Sequence, residues 1–319
     1  MRLSIVVPCY NEKDVLYETS SRLTEVLNKL VSAGKVSSDS FVLFVNDGST
    51  DNTWEIIKEL FENNKFIYGL NLAGNVGHQN ALMAGLMTAK EMCDAMISID
   101  ADLQDDVNII ETMVDKYKEG FDIVYGVRSS RKTDTFFKRN SALAFYKLMK
   151  GLGVHSVYNH ADYRLMSKRA VEQLSCFKER NLFLRGIVPL IGYNTTCVYY
   201  ERNERYAGES KYPLRKMINF AIDGITSFSV KPVRLIAGTG FSLLIISVLA
   251  SIYVIYAVST GHAVAGWASI MLSIWFIGSI ILISIGVIGE YIGKIYIEVK
   301  ERPRYNIETL LCHKEDKND

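Results

Sequence analysis

Between Leu235 and Gly293 the chain carries no lysine and no arginine. Two long apolar stretches fill that window, about Leu235–Val258 and about Trp267–Ile288. Each exceeds the roughly 20 residues that a helix needs to cross a bilayer. The link Ser259–Gly266 between them is short and contains glycine. The pattern predicts a helical hairpin through a membrane. Two buried core helices are the competing reading, and their length argues against it. Lys231 and Arg234 precede the first stretch, and Lys294, Lys300, Arg302 and Arg304 follow the second. Positive residues collect on the cytoplasmic side. Both ends of the hairpin, and everything before it, are therefore expected in the cytoplasm at the inner or plasma membrane. Gly289 and Gly293 would let helices pack closely.

The rest of the chain reads as a soluble α/β protein. Its 319 residues and formal charge of +1 allow one sizeable domain and give no case for nucleic acid. Five scattered cysteines show no zinc or disulfide spacing and read as reduced thiols. Leu3–Val7 begins a strand with no charged leader before it, so no signal peptide is expected. The expected division is a catalytic-type domain over 1–212, an amphipathic interfacial helix over 213–232, the two-helix transmembrane hairpin over 233–293 and a cytoplasmic tail over 294–319. Residues 213–228 place apolar side chains near helical spacing behind Arg215 and Lys216, which suits the membrane interface. An ordinary surface helix is the alternative there. The end of the chain, from His313 on, is expected to be disordered.

Strands are predicted at Leu3–Val7, Phe41–Val45, Ile67–Leu70, Ala95–Ile99 and Ile123–Val127. Helices are predicted at Glu12–Leu30, Thr53–Glu62, His78–Met92 and Val107–Tyr117. Alternating strands and helices imply a mostly parallel sheet, which binds ligands at its carboxyl edge. The polar motifs obey that rule. Pro8-Cys-Tyr-Asn-Glu12, Asn46-Asp-Gly-Ser-Thr-Asp51 and Asp100-Ala-Asp102 each follow an apolar strand directly. Asp100, Asp102 and Asp105 at one strand end repel one another unless something positive sits there. A hard divalent cation with oxygen ligands is the simplest resolution; a solvated turn is the other.

Six motifs occur in order: Val6-Val-Pro-Cys-Tyr-Asn-Glu12, Asn46-Asp-Gly-Ser-Thr-Asp51, Gly74-Asn-Val-Gly-His-Gln-Asn80, Asp100-Ala-Asp-Leu-Gln-Asp105, Ala161-Asp-Tyr-Arg-Leu-Met166 and Arg202-Asn-Glu-Arg-Tyr-Ala-Gly-Glu-Ser-Lys-Tyr212. With the membrane hairpin they closely resemble family 2 inverting glycosyltransferases of the polyprenyl-phosphate type. Within that type the chain is similar to dolichol-phosphate mannose synthases and, more narrowly, to bactoprenol-phosphate glucosyltransferases. The resemblance implies a Rossmann-like GT-A nucleotide-diphospho-sugar transferase domain. It implies that Pro8, Tyr10, Glu12 and Asp47 hold the base and ribose, with Asn75, His78, Gln79 and Asp100 in the donor pocket. Asp100, Asp102 and Gln104 resemble the metal set, for Mg2+ or Mn2+. Asp162 occupies the place of a carboxylate near the reacting centre, as orienting group or base. Arg202, Arg205, Ser210 and Lys211 offer cationic and hydroxyl donors to acceptor phosphate or donor diphosphate, and Arg128 and Arg131 are further phosphate candidates. Attraction to anionic lipid heads is an alternative for that basic cluster. Asn181 and Arg185 could line the acceptor path, or serve as a cap and a surface charge.

The expected reaction moves one sugar from a nucleotide-diphosphate donor to polyprenyl (undecaprenyl) phosphate. UDP-glucose is the first donor, with UDP-N-acetylglucosamine, a UDP-aminoarabinose type or GDP-mannose as rivals. A processive polysaccharide synthase would show more spans and a Gln-x-x-Arg-Trp type motif, where this chain has Arg202-x-x-Arg-Tyr. A non-catalytic nucleotide-sugar-binding scaffold is the reading from another class, and the intact acidic set argues against it. The resemblance also implies a homo-oligomer, of tetramer type, and a small flippase partner for a product used in cell-envelope decoration.

Overall fold

A computed structural model describes residues 1–129, 160–180, 182–201, 231–260 and 266–313. Eight strands form one sheet: β1 Leu3–Cys9, β2 Phe41–Asn46, β3 Ile67–Leu72, β4 Ala95–Ser98, β5 Ile123–Arg128, β6 His160–Ser167, β7 Thr195–Tyr200 and β8 Ile307–Leu311. Their spatial order is β7-β5-β6-β4-β1-β2-β3-β8. The pairs β1–β2, β1–β4, β2–β3 and β5–β7 are parallel, whereas β6 runs antiparallel to both neighbours and β8 antiparallel to β3.

The central strands are apolar on both faces because helices cover both. Leu3, Ile5, Val7, Val42 and Phe44 face a layer formed by α1 (Leu16–Ser32), α2 (Thr53–Asn63) and α4 (Ile109–Lys118). Val6, Leu43 and Val45 face α3 (His78–Ala89), α5 (Lys168–Ser175) and α6 (Leu184–Ile187). The helix α3 lies close on β1 and β2. A Cβ added to Gly85 would stand 2.4 Å from Val6 Cγ1 and 2.7 Å from Val45 Cγ2, so only glycine permits that approach.

The predicted strands and helices of the first 128 residues all form, with ends shifted by a few residues. The helix placed at Glu12 begins at Leu16, because the Glu12 carbonyl first closes a turn with the Val15 N–H. Two regions depart from expectation. The motif around Asp162, where no strand was predicted, forms β6, wedged between β4 and β5. The segment assigned to a tail contains β8, in register Gly69 with Leu311 and Leu72 with Ile307. Just beyond it the His313 ring stacks on Phe61, with centroids 4.2 Å apart, so His313 is held rather than disordered.

Between β7 and β8 lie α7, Lys231–Ser259, of 29 residues, and α8, Trp267–Val299, of 33 residues. Among the described residues one segment, Phe276–Val299, is long and apolar enough to cross a membrane, and none of that window is buried. Large apolar side chains stand exposed on both helices, among them Phe241, Leu249 and Tyr256 on α7 and Ile274, Leu282 and Ile283 on α8. They are therefore not core helices of a soluble domain. The predicted interfacial segment falls almost wholly at 213–230, outside the described residues.

Candidate functional site

The chain runs β1, β2, β3 outward in one direction and then returns to place β4 on the other side of β1. Such a reversal opens a crevice at the carboxyl ends of the two strands flanking it. The motif ending β1 and the acidic motif ending β4 border that crevice. Pro8 shows how. It is buried in β1 opposite Val45 of β2. Pairing with β4 stops at Val6, whose carbonyl accepts from the Ile99 N–H. Alternation aims the backbone of Pro8 to that same side, beyond the last partner, where a missing N–H costs nothing.

The turns after β1 and β2 are tied together. Asn11, at φ 54°, donates its N–H to Ser49 Oγ at 3.0 Å, and its side-chain oxygen accepts from the Thr50 N–H at 2.8 Å. The Glu12 N–H donates to Thr53 Oγ1 at 3.0 Å. Asp47 is 2% exposed, and its two oxygens accept the N–H groups of Val76 and Gly77 at 2.7 and 3.0 Å. Burial pushes the Asp47 carboxyl up, against those two hydrogen bonds and the charge of His78. Asp47 thus clamps the Gly74–Gly77 turn to the β2 turn. Gly48, at φ +60°, makes the clamp possible, since its Cβ would lie 2.4 Å from the Asn75 backbone nitrogen. Tyr10 and Asn75 stand open above this platform.

His78 opens α3 and points Nε2 at Asp100 Oδ1, 3.6 Å away. Gln79 turns the other way and accepts the Leu184 N–H at 2.8 Å, which anchors α6. Asp100 is pushed up to about 6 by burial, partly offset by His78 and reinforced by Asp105, Asp162 and Asp102. Asp102 Oδ1 accepts the Gln104 N–H at 3.2 Å. Leu103 between them is buried at φ 56°, the left-handed region, and its burial holds the tight turn that presents both side chains.

Among the described residues no three His, Cys, Asp or Glu side chains converge on one ready-made metal cage. The donor set still fits a hard cation. Asp100 and Asp102 supply carboxylate oxygens and Gln104 an amide oxygen, in a neighbourhood whose mutual repulsion a positive charge would relieve. Asp105 is not part of that set. It is buried under the loop, ion-paired to Arg128 at 2.9 Å and hydrogen-bonded by the Tyr200 hydroxyl. Arg128 therefore spends much of its guanidinium bracing the acidic loop from β5. Tyr200 was not foreseen; its only trace in the sequence is the end of the run Thr195–Tyr200.

Asp162 lies in β6 beside this loop. Its Oδ1 accepts from Arg164 at 2.5 Å and its Oδ2 from Arg185 at 3.0 Å. Burial alone would raise its pKa, but Arg185, Arg164 and His78 together hold the carboxyl well below the usual range. Ser98 Oγ donates to the Asp162 carbonyl at 2.5 Å and fixes the backbone. The site thus brings together Pro8, Tyr10, Glu12, Asp47, Asn75, His78, Asp100, Asp102, Gln104 and Asp162. Arg131, Asn181, Arg202, Arg205, Ser210 and Lys211 lie outside the described residues.

Residues 4–175 match the model of Glycosyl transferase family 2, and residues 231–295 match that of the GtrB C-terminal hairpin. The chain is 55% identical over 313 residues to the glycosyltransferase YkoT of Bacillus subtilis (strain 168), covering 98% of this chain and 93% of that one. It is 41% identical over 313 residues to the SfII prophage-derived bactoprenol glucosyl transferase of Shigella flexneri, covering 97% and 98%. Among solved structures, glucosyl-3-phosphoglycerate synthase from Mycobacterium tuberculosis superposes with a TM-score of 0.45 at 18% identity, over 71% of this chain and 78% of that one. The two family models and the relatives alike over nearly the whole length agree: the chain is a glycosyltransferase, a member of Glycosyl transferase family 2 with a C-terminal hairpin of the GtrB kind.

Proposed function

We propose that this enzyme moves a single sugar, glucose first among the candidates, from a UDP-sugar to a polyprenyl phosphate, inverting the anomeric centre. The observation that carries the reading is β8. It follows both long helices in the chain, yet hydrogen-bonds to β3 in the same sheet as β1. A chain that leaves a sheet and returns to it crosses any membrane an even number of times. If α8 crosses, a second crossing must lie between β7 and β8, for which α7 with its 29 residues is long enough, and the donor site stays on one face, the cytoplasmic one by the positive-inside rule. A sugar site tethered in this way is suited to an acceptor that lives in the bilayer. Relatives named bactoprenol glucosyl transferase, alike over nearly the whole length, support the same acceptor.

The chemistry asks little covalent work of the protein. A lipid monophosphate is substantially ionised near neutrality, with a second pKa of about 6. Its oxygen can attack the anomeric carbon from the face opposite the leaving nucleoside diphosphate. A divalent cation, Mg2+ or Mn2+, on Asp100 and Asp102 with Gln104 beside them would neutralise the charge on that leaving group. Tyr10, Glu12 and the Asp47 platform would hold the nucleoside. Asp162, already accepting from two guanidiniums, is a poor proton acceptor and is better suited to orienting a sugar hydroxyl. Arg185 beside it, with Arg202, Arg205 and Lys211, would supply positive charge to phosphate.

The test is a transfer assay with detergent-purified full-length protein, undecaprenyl phosphate and Mn2+. Radiolabelled UDP-glucose, UDP-N-acetylglucosamine and GDP-mannose are offered in parallel. Lipid-soluble label from UDP-glucose is expected. Label from another donor would correct the sugar, and no label from any donor with folded protein would overturn the reaction.

A further inference from the structure

The strand that follows the membrane hairpin reaches the donor site through three side chains. Glu308 on β8 accepts from Asn71 Nδ2 at 2.6 Å. Asn71 Oδ1 accepts from Asn46 Nδ2 at 2.7 Å. Asn46 Oδ1 accepts the Ser49 N–H at 3.3 Å, and Ser49 Oγ accepts the Asn11 N–H at 3.0 Å. The two asparagines end β2 and lie within β3, 3% and 8% exposed, while Glu308 stands at the rim.

This chain has a direction, and one group sets it. An asparagine amide presents a donor at one end and an acceptor at the other, and either orientation fills the same space. A carboxylate only accepts. Glu308 therefore draws the amino group of Asn71 outward, which turns the Asn71 oxygen toward Asn46. That oxygen draws the Asn46 amino group, which leaves the Asn46 oxygen facing the Ser49 N–H. Without Glu308, both amides are free to flip, and a flipped Asn46 would set an amino group against that N–H.

We infer that Glu308 is a positioning residue for the nucleotide half of the site: docking of the post-membrane strand orients Asn71 and Asn46, and so the turn carrying Asp47 and Ser49. The inference rests on the donor reading above, because those turns are the ones assigned to the nucleoside.

Titration calorimetry of UDP and of GDP, with Mn2+, on the full-length detergent-purified protein tests it without requiring transfer. Wild type is compared with Glu308→Leu and Glu308→Gln. Glu308→Leu is expected to weaken the bound nucleotide five- to tenfold. Glu308→Gln keeps a partner for Asn71 but can donate as well as accept, so it no longer fixes the direction and is expected to fall between wild type and Glu308→Leu. An unchanged Kd in Glu308→Leu overturns the inference even where sugar transfer is intact. Weaker binding in Glu308→Leu together with no transfer by wild type upholds the positioning and overturns the reaction. A wild type that binds neither nucleotide overturns both. Asn71→Asp guards against a simple folding loss, since it sets a carboxylate against Glu308 and is expected to weaken binding as well. Adding Glu308→Gln to Asn71→Asp restores a donor–acceptor pair. Recovery of affinity in the double variant is expected, and no recovery counts against the relay.

Discussion

Arg185 Nη2 stands 3.0 Å from Asp162 Oδ2, joining α6 to β6 across the mouth of the site. On the other side the same carboxylate receives Arg164, which is 1% exposed and has two further guanidinium nitrogens without a hydrogen-bond partner among the described residues. The two arginines differ in consequence. Arg185→Ala is expected to leave the thermal midpoint within a few degrees and to lower turnover tenfold or more. Asp162→Ala should cost fold as well as function, because it strands a buried guanidinium, a loss of roughly 3–5 kcal/mol. Thermal unfolding measured beside transfer kinetics separates these effects. Equal midpoints for the two variants would refute the assignment.

The depressed Asp162 carboxyl also fixes the direction of a pH effect. Its folded pKa lies below its unfolded value of about 3.9. Its contribution to stability is therefore complete above about pH 4 and is lost as the pH falls toward the folded value. The Arg169–Asp122 pair, where the carboxyl is likewise held low, acts in the same direction. These two pairs predict midpoints that drop below about pH 4, whereas Asp100, pushed up to about 6, acts in the opposite direction and adds stability as the pH falls from about 6 toward 4. In Arg185→Ala the drop should begin at higher pH, since Asp162 loses the larger of its two charge partners.

Gly48 and Gly74 face each other across the donor turn and predict opposite outcomes. An alanine at Gly48 would sit at φ +60° with its Cβ 2.4 Å from the Asn75 nitrogen. The left-handed backbone alone costs about 1–2 kcal/mol, before the clash is relieved. Gly48→Ala should lower both stability and nucleotide affinity. At Gly74 a Cβ meets nothing within 4 Å, so Gly74→Ala should leave stability unchanged. Thermal unfolding of both variants, and calorimetry of nucleotide binding on Gly48→Ala, read the difference.

The parallel half of the fold was legible because its strands are unbroken apolar runs, each closed by a polar motif. Asp47, Asp100 and Asp102 could be placed at strand ends on that ground alone. The other half was opaque for physical reasons. In β6, Asp162 and Arg164 sit inside a strand, tolerable only because the two charges pair and Arg185 arrives from 23 residues further on. No local pattern announces such a partner. The five residues of β8 carry too short an alternation to stand out after two apolar helices. The roles of Asp47 and Gln79 were harder still to read, since both spend their oxygens on backbone N–H groups of other segments.

Asp102→Ala tests the cation site. Asp102 and Asp100 are the carboxylates at the crevice, whereas Asp105 is committed to Arg128 and Tyr200. Chelation of wild-type enzyme should abolish transfer, and Mn2+ should restore it. Asp102→Ala should insert and unfold like wild type yet stay silent on Mn2+ addition. Transfer that continues without metal, or without Asp102, would remove the cation from the mechanism.

Thiol labelling tests the membrane path. Cys9 and Cys93 are buried, and burial pushes the Cys93 thiol up to about 12 and Cys9 well above its usual value, so neither should react at pH 8 in the folded protein. Cys176 and Cys312 are exposed, one beside α5 and one just after β8. The return of β8 to the sheet places both on the same side of the bilayer. In sealed vesicles a membrane-impermeant maleimide should label both in one orientation and neither in the other. Ser259→Cys, at the far end of α7, should show the reverse in a chain whose other accessible thiols are replaced. Labelling of Ser259→Cys and Cys312 from the same side would mean that α7 and α8 do not form a crossing hairpin, and the acceptor reading would lose its geometric support.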